Sequence, residues 1–180
     1  MSETKVMLKG VRFSYAHVFE PTAAEEDGEK KYNVSVIIPK DDKANLKIVK
    51  AGIEAAKQEG LATKWNGKLP KKYEDPLKDG DEEKEDDPAY VGCMYLNAKS
   101  KRKPGIIDRN KQEIVNDDEF YSGCYGFITI NFYPYDKGTG GVAAGLGNIM
   151  KTKDGERLGG GGVSASTDFA EVEVDDNDDL

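Results

Sequence analysis

The segment Gly123–Tyr135, GCYGFITINFYPY, leaves a chain of this kind few architectural choices. Successive side chains of a strand point to opposite faces. One face would carry Cys124, Ile128, Ile130 and Phe132, an apolar stripe that must be buried. The other would carry Tyr125, Phe127, Thr129, Asn131, Tyr133 and Tyr135, which is aromatic and polar. A strand buried on one side and mixed on the other belongs in an antiparallel sheet or barrel, not in a parallel sheet covered on both faces.

The rest of the chain agrees. Thr4–Tyr15 alternates through Val6 and Leu8, then Val11, Phe13 and Tyr15, with a bulge predicted at Gly10. Lys31–Pro39 alternates through Tyr32, Val34, Val36 and Ile38. Strands are predicted over Tyr90–Ala98, over Gly105–Val115 as a hairpin arm turning near Asp108–Asn110, and over the glycine-rich Gly138–Met150. One amphipathic helix is expected: Asp41 or Asp42 as N-cap, Leu46, Val49, Ile53 and Ala56 at helical spacing, and a stop at Gly60. Residues 61–88 read as a long irregular stretch anchored by Trp65. About six strands and one helix make a mainly β chain, a small barrel or sandwich.

With 37% hydrophobic residues the 180-residue chain can build one modest core. The expected division is a folded domain over residues 1–158, then a glycine-rich linker and disordered acidic tail over 159–180. No secretion signal or membrane span is read in the sequence. Cys93 and Cys124 are therefore expected to be free thiols in a reducing cytoplasm.

The net charge is −8, which alone argues against a polyanionic partner. Its distribution reverses that inference. Residues 168–180 hold seven acids and no base, and residues 74–87 hold nine acids and two bases. What remains has 18 acids against 24 bases. Two acidic blocks sit on a basic body.

On that body, aromatic residues accompany cations. Beside the face carrying Tyr125, Phe127, Tyr133 and Tyr135 we place Tyr95 and the cluster Lys99, Lys101, Arg102 and Lys103. Arg12, Tyr15, Lys31 and Tyr32 form a third basic-aromatic patch. Stacking binds bases with little sequence preference, at roughly 1–3 kcal/mol per base, and cations follow the phosphates. The expected partner is single-stranded DNA. An alternative use of the same aromatic face is an oligomer interface in a protein-interaction module.

Signs of catalysis are missing from the sequence. His17 is the sole histidine, so no histidine cluster is available for zinc. No phosphate-binding glycine motif is complete. The acids of Asp79–Asp87 lack calcium-loop spacing and read as a solvated, mobile loop. Neither an enzyme nor a metal or cofactor is expected. The tail, with Asp168, Phe169, Asp175, Asp176, Asp178, Asp179 and Leu180, offers anions and some apolar grip to partner proteins, and can compete with DNA.

The motifs VRFSYAHVFEP (Val11–Pro21), KYNVSVIIPK (Lys31–Lys40), DPLKDGDE (Asp75–Glu82), YLNAKSKRKPGIID (Tyr95–Asp108), YSGCYG (Tyr121–Gly126) and GTGGVAAGLGNIMKTKDGERLGG (Gly138–Gly160) recur in this order along nearly the whole chain. In them the chain resembles a family of phage single-stranded-DNA-binding proteins with an OB-fold and an acidic C-terminal tail. The resemblance implies an OB-like antiparallel barrel with one helix and long loops, and nonspecific single-strand binding in phage DNA replication or recombination. It also implies a tail that contacts replication or recombination proteins. A homo-oligomer, a dimer, in the host-cell cytoplasm is expected. Such tails often end in an aromatic residue; this one ends in Leu180.

Overall fold

The computed structural model describes residues 4–23 and 28–158. The expected linker and tail over 159–180 lie outside them. The strands are β1 (Lys5–Thr22), β2 (Lys31–Pro39), β3 (Lys78–Asp79), β4 (Cys93–Ser100), β5 (Ile106–Ile107), β6 (Tyr125–Tyr135) and β7 (Gly141–Lys153). The helices are α1 (Lys43–Ala62) and the single turn α2 (Gly80–Glu83), followed by a 3₁₀ turn at Pro88–Tyr90.

Five strands close into a barrel in the order β1-β2-β4-β7-β6 and back to β1. Every barrel pairing is antiparallel except the seam between β4 and β7, where Ala98 meets Ala144 and Lys99 meets Gly145 in parallel. This is the mainly β, OB-like barrel expected from the sequence. β3 extends the seam edge of β4, and β5 extends the seam edge of β7. The barrel interior takes the apolar stripe of each strand: Leu8, Val11 and Phe13 from β1, Val34, Val36 and Ile38 from β2, Leu96 and Ala98 from β4, and Ile128, Ile130 and Phe132 from β6.

β1 is long because it serves two neighbours. It pairs with β6 over Lys5–Arg12 and with β2 over Arg12–Thr22. Three register shifts bend it around the barrel, one of them between His17 and Thr22. The first lies between Leu8 and Val11, where Gly10 takes φ +68°. The second lies between Ser14 and His17, where Tyr15 takes φ +47°.

Helix α1 starts at Asp42, whose carboxylate accepts the Asn45 amide at 3.1 Å. Leu46, Val49, Ile53 and Ala56 face the core as their spacing predicts. The helix runs past Gly60 to Ala62. Gly60 is a contact point rather than a stop: a Cβ there would lie 2.6 Å from the Trp65 ring and 2.8 Å from Pro134. Trp65 is the expected anchor, its indole N–H donating to the Tyr135 carbonyl at 3.1 Å.

Three local expectations are corrected. Tyr90 belongs to no strand: Asp87 accepts the Ala89 amide, and Gly92 at φ +70° turns the chain into β4 three residues later than expected. The arm over 105–115 turns at Asp108 as expected, with its carboxylate accepting the Asn110 and Gln112 amides and Ile107 bridging Glu113, but its strand is confined to Ile106–Ile107. The acidic stretch is built into the fold rather than loose, since Lys40 bridges Asp79 at 2.9 Å and Asp81 at 2.8 Å. The thiols of Cys93 and Cys124 are free. Burial pushes the Cys124 thiol up to about 11.

Closure leaves no room at Gly126, where a Cβ would lie 2.0 Å from the Met150 carbonyl oxygen. Gly126→Ala should cost about 3 kcal/mol or more, because backbone rather than a side chain must yield. Gly10→Ala meets open space. It should cost only about 1–2 kcal/mol for its left-handed φ. Urea melts of the two variants would show whether steric closure or backbone conformation dominates.

Candidate nucleic-acid interface

The outer face of the β2–β4 pair follows from alternation. With Val34, Val36, Ile38, Leu96 and Ala98 turned into the barrel, the outward positions are Lys31, Asn33, Ser35 and Ile37 on β2 and Tyr95, Asn97 and Lys99 on β4. The register sets Asn33 opposite Lys99, Ser35 opposite Asn97, and Ile37 opposite Tyr95. One end of this face is therefore apolar, the middle is polar, and the other end is cationic.

The apolar end is roofed. Tyr90 is fully buried and packs with Ile37 and Tyr95, its ring edge-on to Tyr95 with centroids 5.1 Å apart. The Tyr90 hydroxyl donates to Ser35 Oγ at 2.8 Å. Burial pushes the Tyr90 and Tyr95 phenols up, so both stay protonated.

The cationic end is open. A groove of about 540 Å³ lies between β1 and the β2–β4 face, and Tyr15, His17, Lys31, Asn33, Lys84 and Lys99 line it. Tyr15 stands at its wall, 41% exposed and beside Tyr90 with ring centroids 6.5 Å apart. Its left-handed backbone is unfavourable for a tyrosine, and such strain concentrates at functional positions. The strain turns an aromatic ring outward from a strand whose neighbours Phe13 and Val18 are buried. The Lys84 ammonium lies over Tyr15 at 5.2 Å, Tyr95 at 5.9 Å and Tyr90 at 6.0 Å from the ring centroids. Such cation–π contacts hold a cation near aromatic faces without neutralising it.

The other expected site residues are dispersed. Tyr95 is 6% exposed beneath Tyr90, so its ring is covered. Tyr32 packs against the barrel core, because it shares the inward stripe of Val34 and Val36. Lys101 pairs with Glu29 at 3.0 Å and Arg102 is exposed. Lys103 lies over Phe19 at 5.7 Å. Arg12 is engaged elsewhere: its Nε donates to the Gly123 carbonyl at 3.1 Å and its Nη2 to the Glu156 carbonyl at 2.8 Å, with Tyr125 against the guanidinium.

The outer face of β6 is aromatic as expected, but it does not join the Lys99–Lys103 cluster. Barrel closure puts β7 between β6 and β4 on one side, and β1 and β2 between them on the other. Tyr125 lies between Arg12 and Lys153. Phe127 lines an apolar hollow of about 330 Å³ with Met7, Ile107 and Met150. Tyr133 is 40% exposed and Tyr135 half-buried, both at the far end of the strand.

Sequence reasoning passed over His17, Asn33, Asn97 and above all Lys84. The polar alternation Lys31-Asn33-Ser35 was the readable signal for the β2 positions. Lys84 gave none, because it lies among acids. Among the described residues, no group of three or more His, Cys, Asp or Glu side chains could hold a metal ion. No helix among them is long and apolar enough to cross a membrane.

A family model described as "Enterobacter phage Enc34, ssDNA-binding protein" matches residues 4–180. "Putative protein p50" of Acyrthosiphon pisum secondary endosymbiont phage 1 is 34% identical over 186 residues, covering 98% of each chain. The single-stranded DNA-binding protein from bacteriophage Enc34, solved in complex with ssDNA, aligns with a TM-score of 0.75 at 27% identity, over 87% of this chain and 90% of that one. Bacteriophage T7 gp2.5, a single-stranded DNA binding protein, aligns at 0.56 with 16% identity, over 97% of this chain and 100% of its own, a likeness of fold alone.

The geometry makes Arg12 a clamp on residues 154–158, where the Leu158 amide also donates to Ser122 at 2.9 Å. Arg12→Ala should lower stability by about 1.5–3 kcal/mol, the range for hydrogen bonds to a charged group. Amide exchange at Gly155 and Leu158 should quicken more than at the β2 amides, a pattern that loss of a DNA contact alone would not produce.

Proposed function

The chain belongs to the Enc34-type family of phage single-stranded-DNA-binding proteins, whose role is binding rather than catalysis, and from that membership we propose that it holds single-stranded DNA in the groove between β1 and the β2–β4 face. The observation that carries the reading is the meeting of one exposed, strained tyrosine, Tyr15, with Lys31, Lys84 and Lys99 in a single groove. OB-folds bind oligonucleotides on the face of their second and third strands and on the loop between the first two. Here those strands are β2 and β4, and Thr22, Gly28 and Glu29 at the β1–β2 connection line the same groove. A base stacks on Tyr15 while phosphates follow the lysines. Stacking on a tyrosine and lysine contacts to phosphates carry little base preference, which supports binding with little sequence selectivity.

The biological role is protection or organisation of single strands during phage DNA replication or recombination, in the host-cell cytoplasm. The acidic tail, with Asp168, Phe169, Asp175, Asp176, Asp178, Asp179 and Leu180, contacts partner proteins and competes with DNA. One placement supports competition. Leu158 packs against the Ile37–Tyr90–Tyr95 cluster at the closed end of the binding face. Asp168 follows ten residues later, within about 33–36 Å at full extension. Self-association as a dimer is best supported on the β6 side, where the hollow around Phe127 adjoins Met7, which is 47% exposed.

Fluorescence-anisotropy titration with labelled oligo-dT tests the reading. Affinity should exceed that for duplex and fall with salt, and Lys31→Gln or Lys99→Gln should each reduce the salt slope by about 0.7. Tyr15→Ala should cost about 1–3 kcal/mol, while Tyr133→Ala should leave affinity unchanged. Binding that ignores both salt and Tyr15 would sink the proposal. Removing residues 168–180 should tighten binding at low salt; unchanged or weaker binding would remove the competition model.

A further inference from the structure

Residues 79–88 hold five consecutive or near-consecutive acids around one lysine: Glu82, Glu83, Lys84, Glu85, Asp86 and Asp87. The segment leaves β3, which pairs with β4 at Lys78–Tyr95 and Asp79–Met94, so it starts at the edge of the binding face. Three contacts fix its path. Asp79 accepts the Asp81 amide at 2.9 Å, Lys40 bridges Asp79 and Asp81, and Asp81 accepts the Gly92 amide at 2.9 Å. Gly80 is so close to its surroundings that a Cβ would lie 2.5 Å from the Tyr90 carbonyl oxygen. At its far end the segment runs into the 3₁₀ turn that buries Tyr90.

Along this fixed path Lys84 alone is turned onto the tyrosines. Among the described residues its ammonium forms no ion pair, despite six acids within three positions of it; it rests over Tyr15, Tyr90 and Tyr95 instead. Glu82, Glu83, Glu85 and Asp86 are exposed. With Asp87, Pro88, Tyr15 and Lys84 they line a second hollow, of about 670 Å³. Tyr15 and Lys84 line both hollows. These two side chains are thus a divide, with Lys31 and Lys99 on one side and five carboxylates on the other.

We propose that residues 79–88 are a selectivity fence for the groove: Lys84 takes a phosphate of the bound strand beside Tyr15, and the carboxylates behind it repel a second phosphate backbone, so that one strand is admitted and a duplex is not. This rests on the groove being the single-strand site. The physical basis is position. A single strand needs only the cationic side of the divide, whereas the partner strand of a duplex extends beyond Tyr15 into the anionic side. Like charges facing each other across an interface exclude wrong partners more effectively than they weaken the right one.

The test uses the full chain and three ligands: labelled oligo-dT, a mixed-sequence single strand, and the duplex made from that strand. In the variant Glu83→Gln/Glu85→Gln/Asp86→Asn, chosen to spare every capping and ion-paired acid, duplex affinity should rise about tenfold and single-strand affinity less than about threefold. Lys84→Gln should weaken single-strand binding several-fold and reduce its salt slope by about 0.7. An equal rise for single strand and duplex in the triple variant, the mark of net charge alone, overturns the fence, as does no change in their ratio. Unaltered single-strand affinity and slope in Lys84→Gln overturns the role of Lys84. Failure of the underlying reading looks different: the unmodified chain would then show no preference for single strands, and Tyr15→Ala and Lys99→Gln would have no effect.

Discussion

Two residue pairs, Ala98 with Ala144 and Lys99 with Gly145, join β4 to β7 in parallel and turn a curled sheet into a barrel. The rest of the molecule depends on that seam. It lets the inward stripes of five strands share one core. It also fixes which outward faces are neighbours. The small residues at the seam matter because two backbones can approach only where side chains permit it. The same economy appears at Gly126 against Met150 and at Gly141, where a Cβ would lie 2.3 Å from the Glu74 carbonyl oxygen.

Closure gives the β2–β4 face a graded chemistry. Its apolar end is used internally, covered by Tyr90 and by Leu158 at the end of the described chain. Its cationic end stays open beside Tyr15. The gradient has a simple origin: Ile37, Ser35 and Asn33 occupy successive outward positions of one strand, with Lys31 next, and Tyr95, Asn97 and Lys99 lie opposite the first three on the neighbouring strand. The covered end anchors the rigid 3₁₀ turn, and the turn in turn holds the segment that carries Lys84. The side chains around the groove are thereby placed by packed, hydrogen-bonded elements, and such pre-ordering lowers the entropy cost of any contact they make.

Charge in this acidic protein is organised by location rather than by total. Lys40 spends its charge on two carboxylates of the 79–88 segment, and their attraction raises the Lys40 ammonium and lowers the Asp81 carboxyl relative to their usual values. The free carboxylates left over face a different hollow from the one lined by Lys31 and Lys99. A net charge of −8 is therefore compatible with a locally cationic groove, since solvent and salt screen exposed charges beyond about 8–10 Å.

The sequence by itself determined the longer strands, helix α1 and the sides they bury, because periods of two and of about 3.6 are local properties of a chain. Lys31–Pro39 and the face assignment of residues 124–135 were legible in this way, as were the bulge at Gly10 and a cap at Asp41 or Asp42, of which the structure uses Asp42. The recurring motif order, not the periodicity, pointed to an OB-like barrel. What the sequence did not determine was which outward faces adjoin. The aromatic side of β6 and the basic end of β4 looked like one surface, yet barrel closure sets them on different walls. Tyr95 looked exposed until a turn from five positions earlier covered it. Lys84 looked like one charge in a solvated acidic run, and only the ion pairs of Lys40 and the burial of Tyr90 put it over three tyrosines. Adjacency between distant segments comes from closure and long-range packing, and no local pattern encodes it.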